Sequence, residues 1–355
     1  MNDPQQLVQS FVTELGQAAD GQSTSLPFIR HALPDKTIVN AGQTFQVIVA
    51  GGSYFQKATI RKTDGQLEIL QADEGAQPVF STKEILFDFL ASHLDPTISV
   101  LALNFAYPME PVTRGDILDG KLVRGTKENN FDGLIGEAVG EAFEIYMKEK
   151  HDRTLKVACA NDTICLLMSG LIKKDANQIA AGIVGTGLNF AIFLDEHTVV
   201  NLESSNFDKF EQSESGKAID AKSLHPGTSI YEKEVAGAYM HQHMNYLIEK
   251  RNLGIPLLKS TKLIDVYAQD ENEEIARAAQ EVLDRAAQLV AAQIAGLLKF
   301  CDRDLTFIMQ GSVYWKGYHF KESITDLVNH LCPEHHATFE KIEHSDLYGA
   351  AKLVA

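Results

Sequence analysis

The chain has 355 residues, 45% of them hydrophobic and 23% charged, and a formal net charge of -16. That length suits about two domains, each with its own core, and the composition is that of an ordinary globular protein. The acidic balance argues against binding a phosphate backbone, which needs basic patches, and no apolar run approaches the roughly 20 residues that span a bilayer.

The N-terminal residues Met1-Asn2-Asp3-Pro4 lack a basic, apolar leader. The four cysteines, Cys159, Cys165, Cys301 and Cys332, have no paired metal spacing. A soluble, cytoplasmic, reduced protein with neither nucleic-acid nor membrane partners is therefore expected.

Residues 7–18 place Leu7, Phe11, Val12 and Leu15 at helical spacing. Residues 19–25 end that helix, and Pro27 and Pro34 mark an extended connection. Strands are expected at 45–50, 55–61 and 66–71, with Asp64-Gly65 as a hairpin signal. A helix over 81–94 should bury Ile85, Leu86, Phe89 and Leu90. A strand at 98–105, a loop containing Pro108 and a helix over 131–148 follow.

The central stretch is 155–163, Leu-Lys-Val-Ala-Cys-Ala-Asn-Asp-Thr. It reads as a buried strand that stops on polar residues, the place where open α/β sheets usually hold ligands. Asp162 has two readings at this point: a carboxylate delivered into a crevice, or a cap for a helix over 164–170.

In the second half, strands are expected at 178–184, 189–194 and 198–202, then helices over 231–250 and 273–300. The last of these carries Ile275, Val282, Ala286, Leu289, Ile294 and Leu297 as its core stripe. A strand at 305–309, a helix over 320–332, a strand at 337–342 and a helix from Gly349 complete the chain. Each half opens with a strand, a glycine-rich turn and a returning strand. The two turns, Gly51-Gly52-Ser53 and Gly185-Thr186-Gly187, suggest two jaws for one polyphosphate, because glycine lets backbone amides approach phosphate.

Several blocks occur in a telling order: Phe105-Ala106-Tyr107-Pro108, Gly125-Thr126-Lys127, Ala160-Asn161-Asp162-Thr163, Val184-Gly185-Thr186-Gly187-Leu188-Asn189, Leu224-His225-Pro226-Gly227 with Tyr231-Glu232-Lys233, and Ser312-Val313-Tyr314 before His319-Phe320-Lys321-Glu322. Together they resemble the hexokinase family over nearly the whole chain. The resemblance implies an α/β, duplicated actin-like ATPase (ribonuclease H-like) fold with two domains flanking a cleft, a small one at 44–162 and a large one from 1–43 and 163–355. It implies ATP with Mg2+ as cofactors, and a hexose and a nucleotide as small-molecule partners.

By the same resemblance Asp162 is the general base for the sugar 6-hydroxyl. Thr126, Lys127, Asn161, Asn189, Glu203 and Glu232 bind the sugar, and Gly51, Gly52, Ser53, Gly185, Thr186, Gly187, Gly311 and Ser312 the nucleotide. Amides and carboxylates suit a ring of hydroxyls that each donate and accept.

The departures from the family pattern are specific. The aspartate expected before the first phosphate turn, which acts on the metal through water, is Val49. The arginine after the phenylalanine is Gln56, a sugar-contacting serine is Ala106, and Glu343-His344-Ser345-Asp346-Leu347 replaces a glycine- and serine-rich nucleotide turn. The chain is also shorter than a family catalytic unit between Glu232 and Gly311, and lacks most of the family's final helix. A hexokinase-like sugar-binding or regulatory protein with weak catalysis is thus the rival expectation, and a sugar kinase with another hexose or donor a third. His330, Cys332, His335 and His336 match no metal template, and His241 and His243 read as surface or packing residues.

Overall fold

The computed structural model describes residues 3–51, 54–125 and 128–355. In chain order the first half forms α1 (Pro4–Ala19), β1 (Ile29–Ala32), β2 (Thr44–Ala50), β3 (Tyr54–Lys62), β4 (Leu67–Ala76), α2 (Lys83–His93), β5 (Val100–Phe105), β6 (Met109–Arg114), β7 (Ile117–Leu122), α3 (Val139–His151), β8 (Lys156–Ala160) and α4 (Asp162–Ser169). Then come β9 (Ile179–Val184), β10 (Leu188–Asp195), β11 (Thr198–Asn201), α5 (Glu214–Lys222), α6 (Ile230–Val235), α7 (Gly237–Arg251) and α8 (Lys262–Tyr267). The chain closes with α9 (Glu273–Cys301), β12 (Leu305–Gln310), α10 (Ser312–Lys316), α11 (Phe320–Leu331), β13 (Ala337–Glu340) and α12 (Ser345–Ala351).

These elements gather into two compact units. The first comprises Met1–Phe28, Gly182–Phe190 and Leu202–Glu340, and the second Ile29–Ala181, Ala191–Asn201 and Lys341–Ala355.

In the second unit a five-stranded sheet has the order β4-β3-β2-β5-β8. Strands β2, β5 and β8 are parallel, so their carboxyl ends share one edge. Strand alternation then assigns the faces. Ile48, Ala50, Leu101, Leu103, Phe105, Val157 and Cys159 join a core with Leu86, Phe87 and Leu90 of α2 and Phe143 of α3. Each Val, Leu, Ile or Phe among them contributes about 1.5–3 kcal/mol when fully buried. On the opposite face α4 and α12 pack over β2 and β5. Helices α4 and α12 touch at a glycine: a Cβ on Gly349 would lie 1.7 Å from the Cys165 carbonyl oxygen. The same unit holds the antiparallel set β1-β11-β10.

The first unit is built on the long helix α9, capped by Asn272 and burying the expected stripe from Ile275 to Leu297. Helices α1 and α11 lie against it. Its strands run β10-β9-β12-β13, the last two parallel.

Several expectations from local pattern are corrected. The Pro108 loop is the hairpin β6–β7, a two-stranded sheet of its own. The helix expected over 131–148 begins only at Val139, because the chain first turns through left-handed glycines Gly133 and Gly136. Helix α2 buries Leu86, Phe87 and Leu90 and leaves Ile85 38% exposed, since two overlapping apolar stripes satisfy one period. The helix expected over 231–250 breaks at Ala236, whose backbone is extended. There the Gly237 N–H donates to the Gly185 carbonyl at 2.7 Å, so a tertiary contact overrides helical periodicity. Helix α12 starts at Ser345, four residues earlier than expected.

Candidate active site

Every residue of β8 after Lys156 is buried, and the strand ends where the chain turns polar. Asn161 is the N-cap of α4, its Oδ1 accepting from the Ile164 N–H at 3.0 Å. Asp162 is the first helical residue. Its Oδ1 accepts from the Thr163 N–H at 2.7 Å and from the Thr163 hydroxyl at 3.2 Å.

The capping role is therefore Asn161's, and Asp162 is available for other work. Because the Asn161 oxygen is committed to the cap, its NH2 is the part left for a ligand. Burial raises the Asp162 carboxyl above its ordinary range, against the opposing pull of the Thr163 donors. A carboxylate so raised is a better proton acceptor than an exposed one.

At the same edge of the sheet, Val49 is the last residue but one of β2. It is paired with Gln56 on one side and Asn104 on the other. Asn104 is fully buried, and neither its side-chain oxygen nor its nitrogen has a hydrogen-bond partner. Gly51 follows β2, and its carbonyl accepts from the Tyr107 hydroxyl at 2.8 Å and from the Gln77 amide. Burial pushes the Tyr107 phenol up to about 12, which keeps it a donor at neutral pH. Ala106, whose N–H donates to the Ala50 carbonyl at 3.1 Å, has no hydroxyl to offer a sugar.

Among the described residues no group of three or more His, Cys, Asp or Glu could hold a metal ion. Val49, a hydrocarbon side chain, offers Mg2+ no oxygen. Gly52, Ser53, Thr126 and Lys127 lie outside the described residues.

The first unit brings the remaining candidates together. The second glycine turn joins β9 to β10. Gly185 is buried, its N–H donating to the Gly187 carbonyl at 3.0 Å, and Thr186 is exposed. A Cβ on Gly187 would lie 2.8 Å from Glu232 Oε2, the oxygen that accepts from the Leu188 N–H at 3.0 Å.

Asn189 Oδ1 accepts from the Ser204 N–H at 3.3 Å, which ties it to Glu203. Glu203 itself is left-handed, with φ 49°. The Glu232 carboxyl is pushed above its usual range, chiefly by burial and further by the Glu203 charge. Two half-buried carboxylates and an amide beside a glycine turn can accept from and donate to hydroxyl groups.

Gly311 has φ 115°, and a Cβ there would lie 2.1 Å from the Val184 carbonyl oxygen. A Cβ on Gly185 would come within 3.0 Å of Gly311 Cα, so the two turns pack backbone to backbone. Beside them opens a cleft of about 750 Å³ walled by Gly185, Thr186 and Ser312, with Lys259, Lys262 and Lys316 around it. Three ammonium groups near two glycine turns can attract a polyphosphate. Sequence reasoning missed these lysines. Lys259-Ser260-Thr261-Lys262 was the available signal, but nothing local links it to Gly185.

Among the described residues the histidines fall in no group of three or more possible metal ligands. Cys332 is buried, and His335 Nε2 lies 3.1 Å from Asp302 Oδ1. His243 is buried with both ring nitrogens engaged, by Ser215 and by the Lys233 carbonyl. His241 is half-buried.

Two family models, each described as Hexokinase, match the chain, one over residues 5–172 and the other over 179–250 and 247–355. Hexokinase-4 of Arabidopsis thaliana is 24% identical, over 88% of this chain and 79% of that protein. A hexokinase of Schistosoma mansoni is 28% identical, over 71% of this chain and 67% of its own length.

Among solved structures, the Schistosoma mansoni hexokinase complexed with glucose superimposes with a TM-score of 0.79 at 23% identity, covering 99% of this chain and 94% of that one. A ROK family glucokinase of Streptomyces griseus in complex with glucose and AMPPNP gives 0.54 at 16% identity, over 88% and 99%. These likenesses establish the actin-like ATPase sugar kinase fold. With family models matching both halves, the chain belongs to the hexokinase family.

Proposed function

We propose that this hexokinase-family chain transfers the γ-phosphoryl group of ATP to the 6-hydroxyl of glucose or a related hexose, with Asp162 as general base. The observation that carries this reading is the placement of Asp162: a half-buried carboxylate with raised proton affinity at the carboxyl end of β8, relieved of capping by Asn161. A primary hydroxyl needs a positioned acceptor as the phosphoryl group leaves its donor.

In this reading Asn161, Asn189, Glu203, Glu232, Thr126 and Lys127 hold the sugar hydroxyls. The Gly185-Thr186-Gly187 turn, Gly311, Ser312 and the three cleft lysines hold the nucleotide, together with Gly51, Gly52 and Ser53. Magnesium belongs to the nucleotide substrate and is held by its phosphates. The functional partition into 44–162 and the rest of the chain, and a cytosolic location, are parts of the same proposal.

A second reading is favoured by Val49 and the unpartnered amide of Asn104: a sugar-binding protein with little turnover. The deciding experiment is ADP release with magnesium-ATP across glucose, mannose, fructose, N-acetylglucosamine and no sugar, beside Asp162→Ala. Sugar-dependent release that the variant loses supports the kinase. No release from folded protein that binds glucose calorimetrically supports the second reading, and wild-type release from Asp162→Ala removes Asp162 as the base.

A further inference from the structure

The strand that delivers Asn161 and Asp162 lies at the edge of its sheet, because among the described residues β8 pairs only with β5. An edge strand presents every second N–H and C=O outward, without ladder partners. At Val157 side chains take both groups. Its N–H donates to Glu144 Oε1 at 2.7 Å, and its carbonyl accepts from Arg114 Nη2 at 3.0 Å.

The two side chains are themselves joined fork to fork. Arg114 Nη1 meets Glu144 Oε2 and Nη2 meets Oε1, each at 3.1 Å. The third edge of the guanidinium, Nε, donates to Asp119 Oδ2 at 2.9 Å.

Asp119, on β7, extends the clamp to α3. Ala138 precedes that helix and has no side-chain oxygen to cap it. Asp119 takes over from a distance, accepting from the Gly140 and Glu141 N–H groups at 2.9 Å each and from the Gly120 N–H at 2.7 Å. The close approach is visible at Gly140, where a Cβ would lie 2.8 Å from the Val157 carbonyl oxygen and 2.9 Å from Asp119 Oδ2. One partly buried network thus binds the hairpin β6–β7, the first turn of α3 and the free edge of β8.

We propose that Arg114, Glu144 and Asp119 are positioning residues for phosphoryl transfer, replacing an absent neighbouring strand so that β8 holds Asn161 and Asp162 in the pose that addresses the sugar. The inference rests on Asp162 being the base. The Arg114–Glu144 pair is partly exposed, 17% and 21% by side chain, and an ion pair within reach of solvent contributes little stability. The clamp therefore acts on where β8 sits more than on whether the chain folds.

The test compares wild type with Glu144→Gln, Arg114→Lys and the apolar replacement Arg114→Met/Glu144→Leu, alongside Asp162→Asn. Four readouts are taken on each full-length protein: hydrogen exchange over residues 155–163, glucose affinity by calorimetry, kcat with KM, and Tm. The apolar pair is expected to fold and to exchange about tenfold faster over 155–163. It is also expected to lose about 10- to 100-fold in kcat, or in glucose affinity, the range that small misplacements produce. Arg114→Lys should fall between it and wild type.

If the apolar pair does not fold, Glu144→Gln carries the same expectation with a smaller effect. Unchanged exchange over 155–163, with wild-type kcat and glucose affinity, overturns the proposal. A lowered Tm with those three unchanged also overturns it, because a merely structural role gives that pattern. Failure of the base assignment shows separately, as wild-type turnover in Asp162→Asn.

Discussion

Strands β2 and β8 are both parallel to β5 in one sheet and end at the same edge, yet they deliver opposite chemistry. At β8 the edge bears Asp162, with a raised carboxyl and a capping neighbour that leaves it available. At β2 it bears Val49, beside an Asn104 amide that is buried without partners. Under the proposed function Asp162 supplies the acid–base half of the transfer, while Val49 stands where a carboxylate acting on the metal is expected. Since such reactions depend mainly on alignment and charge stabilisation, the β2 end is where activity is most in question.

The largest expected effect comes from removing the group that β8 delivers. Asp162→Asn should lower sugar-dependent turnover by about 100-fold or more, while glucose affinity measured by calorimetry stays near wild type. The pH profile sharpens the same point. Turnover needs the ionised carboxylate, so the acid limb of kcat/KM should lie above the ordinary carboxylate value of 3.8, with activity falling about tenfold per pH unit below it. The linked stability has the opposite sign. The folded chain holds this proton more tightly than the unfolded one, so the contribution falls as pH rises through the raised value.

Supplying the missing group at β2 is the converse change. Val49 is partly exposed, so Val49→Asp should be tolerated and should raise magnesium-ATP-dependent turnover about tenfold. No rise would show that this edge does not limit the reaction. The smallest effect separates two duties of one residue. Asn161→Ala should lower stability by about 1 kcal/mol, read by chemical denaturation, because α4 loses its cap. Asn161→Asp keeps the capping oxygen, so it should retain that stability and lose glucose affinity.

Most of the secondary structure of the site was legible locally. The run that becomes β8 is apolar and stops on Asn161-Asp162, and the α9 stripe follows its 3.6-residue period, so both appear in the chain without reference to anything distant. The glycine turn at 185–187 was equally visible. What it packs against was not, because Gly311 lies more than a hundred residues away and its close approach to Val184 is a property of two backbones. The choice between the two readings of Asp162 also needed geometry. Asn161 and Asp162 are both good capping types, and only the bond from the Ile164 N–H to Asn161 Oδ1 assigns the role.

By itself the sequence determined the family, the order of the principal elements and the residue types available for chemistry, because ordered motifs and hydrophobic period are carried by near neighbours. Tertiary structure alone decided the break between α6 and α7 at Ala236, the hairpin beyond Pro108, the lysines around the cleft beside Gly185 and the clamp on Val157. Each of these depends on a polar or backbone group finding its partner far along the chain, and such a partner is chosen by packing and by the need to satisfy buried hydrogen bonds, which no local pattern encodes.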